Sequence, residues 1–130
     1  MKIDTLAKWH ELLGKHNPQA LEALLAEDVV FISPVVHTPQ VGKAITKKYL
    51  LAAFHVLFND SFEYLRELKD EHGAILEFQT VIDGISMNGV DMMKWNAQGE
   101  ITEFKVMVRP LKAVNLLHQK MGEMLTAAKS

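Results

Sequence analysis

Residues 88–109 have the sequence N-G-V-D-M-M-K-W-N-A-Q-G-E-I-T-E-F-K-V-M-V-R, and this stretch decides the fold. Two segments of alternating residues are separated by Asn96-Ala97-Gln98-Gly99, which has the composition of a turn. The pattern therefore predicts two paired strands with side chains on two faces. The inward face of the first strand is predicted to consist of Met87, Gly89, Asp91, Met93 and Trp95. The apolar face of the return strand is predicted to consist of Thr102, Phe104, Val106 and Val108.

Asp91 stands where this pattern calls for a hydrophobic residue. A carboxyl group on an apolar inward face is costly to ionise, so we expect the pKa of Asp91 to be raised. That is the usual setting of a functional acid. An aspartate paired with a nearby Lys, Arg or backbone donor would fit the same position. The pattern alone leaves both interpretations open.

The composition is that of an ordinary globular protein. The chain has 130 residues, 48% of them hydrophobic and 23% charged, and a net charge of -2. We expect one domain, residues 1–130, with a hydrophobic core. Without a run of Lys and Arg, binding of nucleic acid is not expected. The absence of cysteine excludes disulfides, thiolate catalysis and Cys-type metal sites. The N-terminal sequence M-K-I-D-T-L-A-K-W-H lacks a signal-peptide core, and no apolar run reaches the length of a membrane span. A cytoplasmic location is expected.

The remaining elements follow from periodicity and from helix and turn signals. Asn17-Pro18 is a strong helix start, because an Asn cap precedes proline at the first helical position. The predicted helices are 5–14, 18–28, 43–58 and 111–129, and the predicted strands are 29–33, 62–69, 74–83, 85–96 and 101–110. The segment 35–41 is predicted to be a loop. This order indicates an α+β fold in which helices cover one side of a curved antiparallel sheet.

Three stretches resemble the nuclear transport factor 2-like superfamily, in particular its ketosteroid isomerases and SnoaL-like polyketide cyclases. They are L-L-G-K-H-N-P-Q-A-L-E-A-L-L-A-E-D-V-V-F at 12–31, S-P-V at 33–35 and G-V-D-M-M-K-W-N-A-Q-G-E-I at 89–101. The resemblance implies a cone-shaped, cystatin-like roll with helices on the concave face of its sheet and an apolar cavity inside. It also implies a homodimer formed through the outer sheet face. That face would contain Glu77, Gln79, Glu103, Lys105, Met107 and Arg109.

The resemblance also implies roles for particular residues. The protonated aspartate of the isomerases corresponds to Asp91, their proton-moving aspartate to Ser33 and their helix tyrosine to Trp9. One functional position is kept and two are replaced. A serine without an activator is no general base near neutral pH, and an indole donates only one hydrogen bond. His37, in the following loop, has a suitable pKa for the missing base, although most loop histidines are solvated surface residues.

The candidate site therefore combines Asp91 as the catalytic group with a set of polar and apolar side chains around a ligand. The ligand-binding candidates are Trp9, Ser33, His37, Tyr49, Phe54, Phe78, Met93, Trp95 and Phe104. Each aromatic or Met residue in this set also fits core packing, and Tyr49 offers its hydroxyl to a ligand or to a backbone carbonyl. No cofactor is implied. No metal site is expected, because His10, His16, His37, His55, His72 and His118 are not spaced as ligand pairs.

Two functions fit these residues. The first is isomerase-like or cyclase-like chemistry on a small apolar carbonyl compound, with neutral Asp91 donating a hydrogen bond to an oxygen that gains charge. The second is non-catalytic binding of a small hydrophobic ligand by a homodimeric interaction module. The replaced base favours the second function, and the retained Asp91 favours the first.

Overall fold

The computed structural model describes residues 4–15 and 17–129, with side chains up to Thr126. Residues 1–3 of the N-terminal stretch considered above, and His16, lie outside this part. The helices are α1 (Thr5–Lys15), α2 (Pro18–Leu24), α3 (Lys43–Leu57) and α4 (Leu111–Lys129). The strands are β1 (Leu25–Ile32), β2 (Gln40–Val41), β3 (Glu63–Lys69), β4 (Gly73–Ile82), β5 (Ile85–Trp95) and β6 (Ile101–Arg109). The predicted α+β class is confirmed.

The strands form one curved sheet in the order β2-β1-β6-β5-β4-β3. The predicted antiparallel run is confirmed, because β3, β4, β5 and β6 pair in sequence with antiparallel neighbours. The sheet is not antiparallel throughout, since β1 pairs with β6 in parallel. The sequence pattern gave no sign of this pair, because the two strands are far apart along the chain. Register shifts in β3 and near the end of β5 are of the kind that bend strands and increase twist.

The boundary between α2 and β1 is the largest local difference from the prediction. Asn17 caps the helix as expected, because its side chain accepts hydrogen bonds from the backbone of Gln19 at 3.0 Å and Ala20 at 3.2 Å. The helix was predicted to continue to residue 28, but it ends at Leu24. Leu25 is extended, fully buried and paired with Ile101. The residues A-E-D at 26–28 were predicted to be helical, but pairing with β6 holds this part of the chain in an extended conformation.

The segment 35–41 was predicted to be a loop, but its last two residues form β2. Val41 and Gln40 pair with Val30 and Phe31 of β1. The backbone N–H of Gly42 then donates to the carbonyl of Val29 at 2.7 Å. This short edge strand leads the chain directly into α3.

The hydrophobic core lies between the sheet and helices α1, α3 and α4. Met87, Gly89, Asp91 and Met93 of β5 are all buried, as the alternation predicted. Trp95 differs: it is half-buried, and its indole N–H donates to the carbonyl of Glu71 at 2.8 Å. The register shift between Lys94 and Trp95 explains this, because it interrupts the alternation at the end of the strand.

Gly89 allows a tight packing arrangement on the inward face. A Cβ atom at this position would lie 2.5 Å from Cζ of Phe78 and 2.6 Å from the carbonyl oxygen of Met107. Phe78 is fully buried and is the cross-strand partner of Gly89. The missing side chain therefore makes room for the ring of Phe78.

Among the described residues, no helix is both long enough and apolar enough to cross a membrane.

Candidate functional site

An apolar cavity lies between the concave face of the sheet and the helices. The cavity is small, with a volume of about 30 Å³. Much of its wall is aromatic and consists of Trp9, Phe31, Phe54, Phe58, Phe62 and Phe104. Helices α3 and α4 add Leu50, Leu57, Leu117 and Met121. This volume is far below the roughly 300–1,000 Å³ of small-molecule sites, so the lining side chains must move apart to admit a ligand larger than water.

Two side chains bring free polar groups to this wall. One is the carboxyl group of Asp91 on β5, and the other is the hydroxyl group of Ser33, just after β1. Asp91 is 7% exposed, while Ser33 is half-buried. The indole nitrogen of Trp9 is already used in a hydrogen bond to Tyr64. Among the described lining residues, Asp91 is the one acidic or basic side chain.

A short chain of hydrogen bonds orients Asp91. The indole N–H of Trp9 donates to the hydroxyl oxygen of Tyr64 at 3.2 Å, and this hydroxyl donates to Oδ2 of Asp91 at 3.0 Å. An indole nitrogen is a donor only, so the Tyr64 oxygen must be the acceptor in the first bond. Its single hydrogen is then free for the carboxyl group. The arrangement occupies Oδ2 and leaves Oδ1 without a bond from the described part of this chain.

Burial and hydrogen bonding act on Asp91 in opposite directions. Burial disfavours the charged form and raises the pKa of Asp91 to about 7, while the hydrogen bond from Tyr64 lowers it in part. The direction agrees with the expectation from the sequence. Burial also raises the pKa of Tyr64 above its ordinary value, and the charge of Asp91 adds to this effect. Tyr64 therefore stays protonated and keeps its hydrogen as a donor.

The loop after β1 holds Ser33 in place. The backbone N–H of Val35 donates to Oγ of Ser33 at 3.1 Å, which closes a small turn around Pro34. The hydrogen of the Ser33 hydroxyl has no acceptor among the described residues. It is thus available to a ligand in the cavity.

Some of the residues proposed from the sequence are brought together here. Trp9, Ser33, Phe54 and Phe104 line the same cavity as Asp91. Trp9 packs against two of these residues, because the centre of its ring lies 5.5 Å from that of Phe54 and 5.0 Å from that of Phe104. These four residues are therefore positioned to contact a ligand bound beside Asp91.

The other proposed residues do not line this cavity, and their contact with a ligand stays a prediction. His37 is exposed in the loop after β1. Tyr49 packs against Phe31, with 5.5 Å between the ring centres, and does not line the cavity. Phe78 and Met93 are buried in the core without lining the cavity. Trp95 is bound to the carbonyl of Glu71 at 2.8 Å. The face of the strand or helix on which a residue lies can be predicted from sequence, but this does not show whether its side chain reaches the space near Asp91.

Tyr64 is the functional candidate that the sequence analysis missed. Phe62, just before β3, and Tyr64, within β3, are two residues apart and both half-buried, whereas the other residues of β3 are exposed. Their spacing predicts a shared face. Nothing in the sequence alone shows that this face meets Asp91, because contact depends on β3 and β5 lying on either side of β4.

The histidines form no metal site in the part of the chain that the structure describes, where no group of three metal-ligating side chains is found. The ring of His10 contacts the carboxyl group of Glu67 and lies next to the ring of Tyr64. His16 lies outside the described residues.

Comparison with known proteins gives several similar chains. A family model for the SnoaL-like domain matches residues 6–104. A steroid delta-isomerase from Pseudomonas aeruginosa is 34% identical, with a TM-score of 0.89 over 95% of this chain and 90% of that chain. An uncharacterized protein with a cystatin-like fold from Silicibacter pomeroyi is 31% identical, with a TM-score of 0.83 over 92% and 83%. A de novo designed protein with a curved β-sheet, 16% identical, has a TM-score of 0.68 over 88% and 94%, which shows the fold alone. None of the curated protein sequences matches.

Proposed function

Because the chain belongs to the SnoaL-like domain family, within the nuclear transport factor 2-like superfamily, we propose that it binds a small apolar carbonyl compound and performs acid–base chemistry on it. The observation that carries this proposal is the buried carboxyl group of Asp91 at the wall of an otherwise apolar cavity. A pKa of about 7 makes both protonation states of Asp91 accessible near neutral pH. The reaction class is a proton transfer next to a carbonyl group, as in an isomerase or a cyclase.

The similarity to a steroid delta-isomerase supports this reaction class. Because the cavity is small, a ligand must displace lining side chains; Phe54 and Phe58, whose rings stack with 5.1 Å between their centres, are among those residues. A bicyclic ketone such as 2-tetralone is a suitable probe. It is apolar, carries one carbonyl group and has acidic hydrogens on the adjacent carbon.

Exchange of these hydrogens in deuterium oxide, followed by proton NMR, tests the enzymatic proposal. The protein is expected to accelerate exchange. Asp91→Asn is expected to slow this exchange by a factor of roughly 10² to 10⁴, the usual contribution of a general acid or base. Asp60→Asn is the matched control, since Asp60 is exposed and away from the cavity. If the wild-type protein exchanges no faster than Asp91→Asn, the enzymatic proposal is wrong.

A second function, non-catalytic binding of a small hydrophobic ligand, is favoured by one specific observation. Asp91 is the one titratable side chain among the described lining residues, so no second group is available there to complete a two-carboxylate mechanism. In this case neutral Asp91 donates a hydrogen bond to an oxygen of the ligand. A change in 2-tetralone affinity on Asp91→Asn, without exchange by either protein, would support the binder over the enzyme.

We further propose a homodimer formed through the outer face of the sheet. Leu68, Ile75 and Met92 are cross-strand neighbours there, and Leu68 and Ile75 are 63% and 42% exposed. A second row joins Val90 to Met107, which is 50% exposed. A face that combines exposed apolar side chains with charged ones fits a twofold interface, in which the same surface patch of each subunit contacts that of the other. Light scattering at micromolar concentration should give a dimer mass, and Ile75→Lys should give a monomer; a wild-type monomer contradicts the proposal.

A further inference from the structure

We propose that Asp91 is the proton acceptor of this site and that the Ser33 hydroxyl donates the hydrogen bond to the carbonyl oxygen of the ligand. Trp9 and Tyr64 act as positioning residues for Asp91. These roles are the reverse of those that the resemblance implied for the two positions, where Asp91 corresponds to a hydrogen-bond donor and Ser33 to a base. The inference rests on the proposed function and assigns the parts of that site.

The direction of the hydrogen bonds to Asp91 is the first argument. Both bonds in the chain from Trp9 through Tyr64 run towards the carboxyl group, at 3.2 Å and 3.0 Å. Hydrogen bonds donated to a carboxyl group favour its charged form. The chain therefore supports the ionised state that a proton acceptor needs, against the burial that opposes it. Because Oδ2 is occupied by Tyr64, Oδ1 is the atom left to take a proton.

The free hydrogen of Ser33 is the second argument. Oγ of Ser33 already accepts the backbone N–H of Val35, so its remaining function towards a ligand is donation. A hydroxyl group with its oxygen held in this way is a preorganised donor. No other described lining side chain has a donor free for a ligand oxygen, unless Asp91 itself is protonated.

The cavity wall around these two groups is the third argument. The remaining lining residues are apolar, so charge developing on a carbonyl oxygen can be stabilised only at Ser33 or Asp91 within the described site. If Asp91 accepts the proton, Ser33 is left to stabilise that oxygen. If Asp91 donates instead, no described lining group is left to accept a proton. Only the first assignment gives each group one role in a complete proton transfer.

The step balances without a cofactor or a second reactant. Oδ1 of Asp91 removes a proton from the carbon next to the carbonyl group, and the electron pair of the broken C–H bond forms a C=C bond. The carbonyl π pair moves onto oxygen, where the Ser33 hydroxyl donates to the resulting enolate. Asp91, now neutral, returns the proton to the same carbon or to a conjugated one, and the C=O bond re-forms.

The pH dependence follows from the groups that face Asp91. Among the described residues, Tyr64 on β3 is the titratable side chain that hydrogen-bonds to it, and His10 on α1, which contacts Glu67 on β3, lies beyond Tyr64. The cross-strand neighbours Leu76 on β4 and Val106 on β6 are apolar, as are the lining residues of α3 and α4. Exchange by a carboxylate should therefore rise with pH and level off above a pH of about 7.

The test uses 2-tetralone labelled with carbon-13 at its carbonyl carbon. Its chemical shift reports hydrogen bonding to the oxygen, and proton NMR reports exchange at the adjacent carbon. Spectra are recorded for wild type, Ser33→Ala and Asp91→Asn, below and above a pH of about 7. Ser86→Ala is the matched control, because Ser86 is exposed on the outer face of the sheet.

The assignment predicts that the carbonyl signal of bound 2-tetralone is shifted by hydrogen bonding at both pH values in wild type and in Asp91→Asn. Ser33→Ala should lose this shift and should slow exchange roughly 10²-fold, the usual effect of removing one donor to an oxyanion. If Ser33→Ala keeps the shift, Ser33 is not the donor and the inference is wrong, although the proposed carbonyl site stands. A wild-type shift that disappears above a pH of about 7 would then identify Asp91 as the donor. If 2-tetralone neither binds nor exchanges with wild type, the proposed function fails and the inference fails with it.

Discussion

Replacing Asp91 with Asn should stabilise the protein increasingly as the pH rises. Asp91 has a pKa of about 7 in the folded protein, against 3.8 for the unperturbed group. Between these values the folded state binds more protons than the unfolded state, so the free energy of unfolding falls as the pH rises. The stability contribution of neutral Asp91 is complete below pH 3.8 and is lost as the pH passes about 7.

The size of this effect follows from the same two values. They differ by about 3 pH units, and each unit corresponds to about 1.36 kcal/mol, so ionising Asp91 costs about 4 kcal/mol of stability. The amide of the Asp91→Asn variant has no charge to bury and keeps an oxygen that accepts the Tyr64 hydrogen bond. The difference in unfolding free energy between Asp91→Asn and wild type should therefore grow by about 4 kcal/mol from acidic to alkaline pH.

Urea unfolding of both proteins at a series of pH values measures this difference. Subtracting wild type from Asp91→Asn cancels the other titrating groups, because they are shared. Asp60→Asn makes the same substitution at an exposed position and is the matched control. If the Asp91→Asn difference is flat across pH, Asp91 is not a carboxyl group that burial holds towards its neutral form, and the reasoning fails.

Three further changes probe the surroundings of Asp91. Tyr64→Phe removes the hydrogen bond to Asp91, and such a bond to a charged group is worth about 1.5–3 kcal/mol. The pKa of Asp91, measured by NMR titration, should therefore rise by roughly 1 to 2. An unchanged pKa would show that Tyr64 does not stabilise the carboxylate. Trp9→Phe keeps an aromatic ring but removes the donor to Tyr64, so the same titration should show a smaller rise, and a fall in pKa would contradict the proposed direction of the chain. Gly89→Ala places a Cβ atom 2.6 Å from the carbonyl oxygen of Met107 and should lower the unfolding free energy by about 1–3 kcal/mol, whereas Gly14→Ala, which meets nothing within 4 Å, should not lower it.

The alternation of residues predicted the sheet of β3 to β6 because each strand needed only its own sequence and a short turn to its partner. The helix start at Asn17 was equally local, since the cap and the following proline are adjacent. The parallel pairing of β1 with β6 was not predictable in this way. This pairing also explains why α2 ends earlier than predicted, because Leu25 pairs with a residue far along the chain.

The same distinction between local patterns and long-range contacts applies to the candidate site. Alternation placed Asp91 on a buried face, and the expected rise of its pKa follows from that burial. Tyr64 was missed because its contact with Asp91 crosses β4 and depends on how the sheet bends. Phe78 and Met93 were assigned to the cavity because a face can be predicted from sequence, whereas the position of empty space along that face cannot. The cytoplasmic location and the absence of a nucleic-acid partner stay predictions.

The measurement that tests the account most directly is the pKa of Asp91 itself. Carbon-detected NMR titration of the side-chain carboxyl signal, assigned by its loss in Asp91→Asn, gives this value without a known ligand. The account predicts a pKa of about 7, which keeps both protonation states available to a ligand in the cavity. A value at or below 3.8 would mean an ionised, solvated or paired carboxylate, and it would contradict an acid–base role for Asp91.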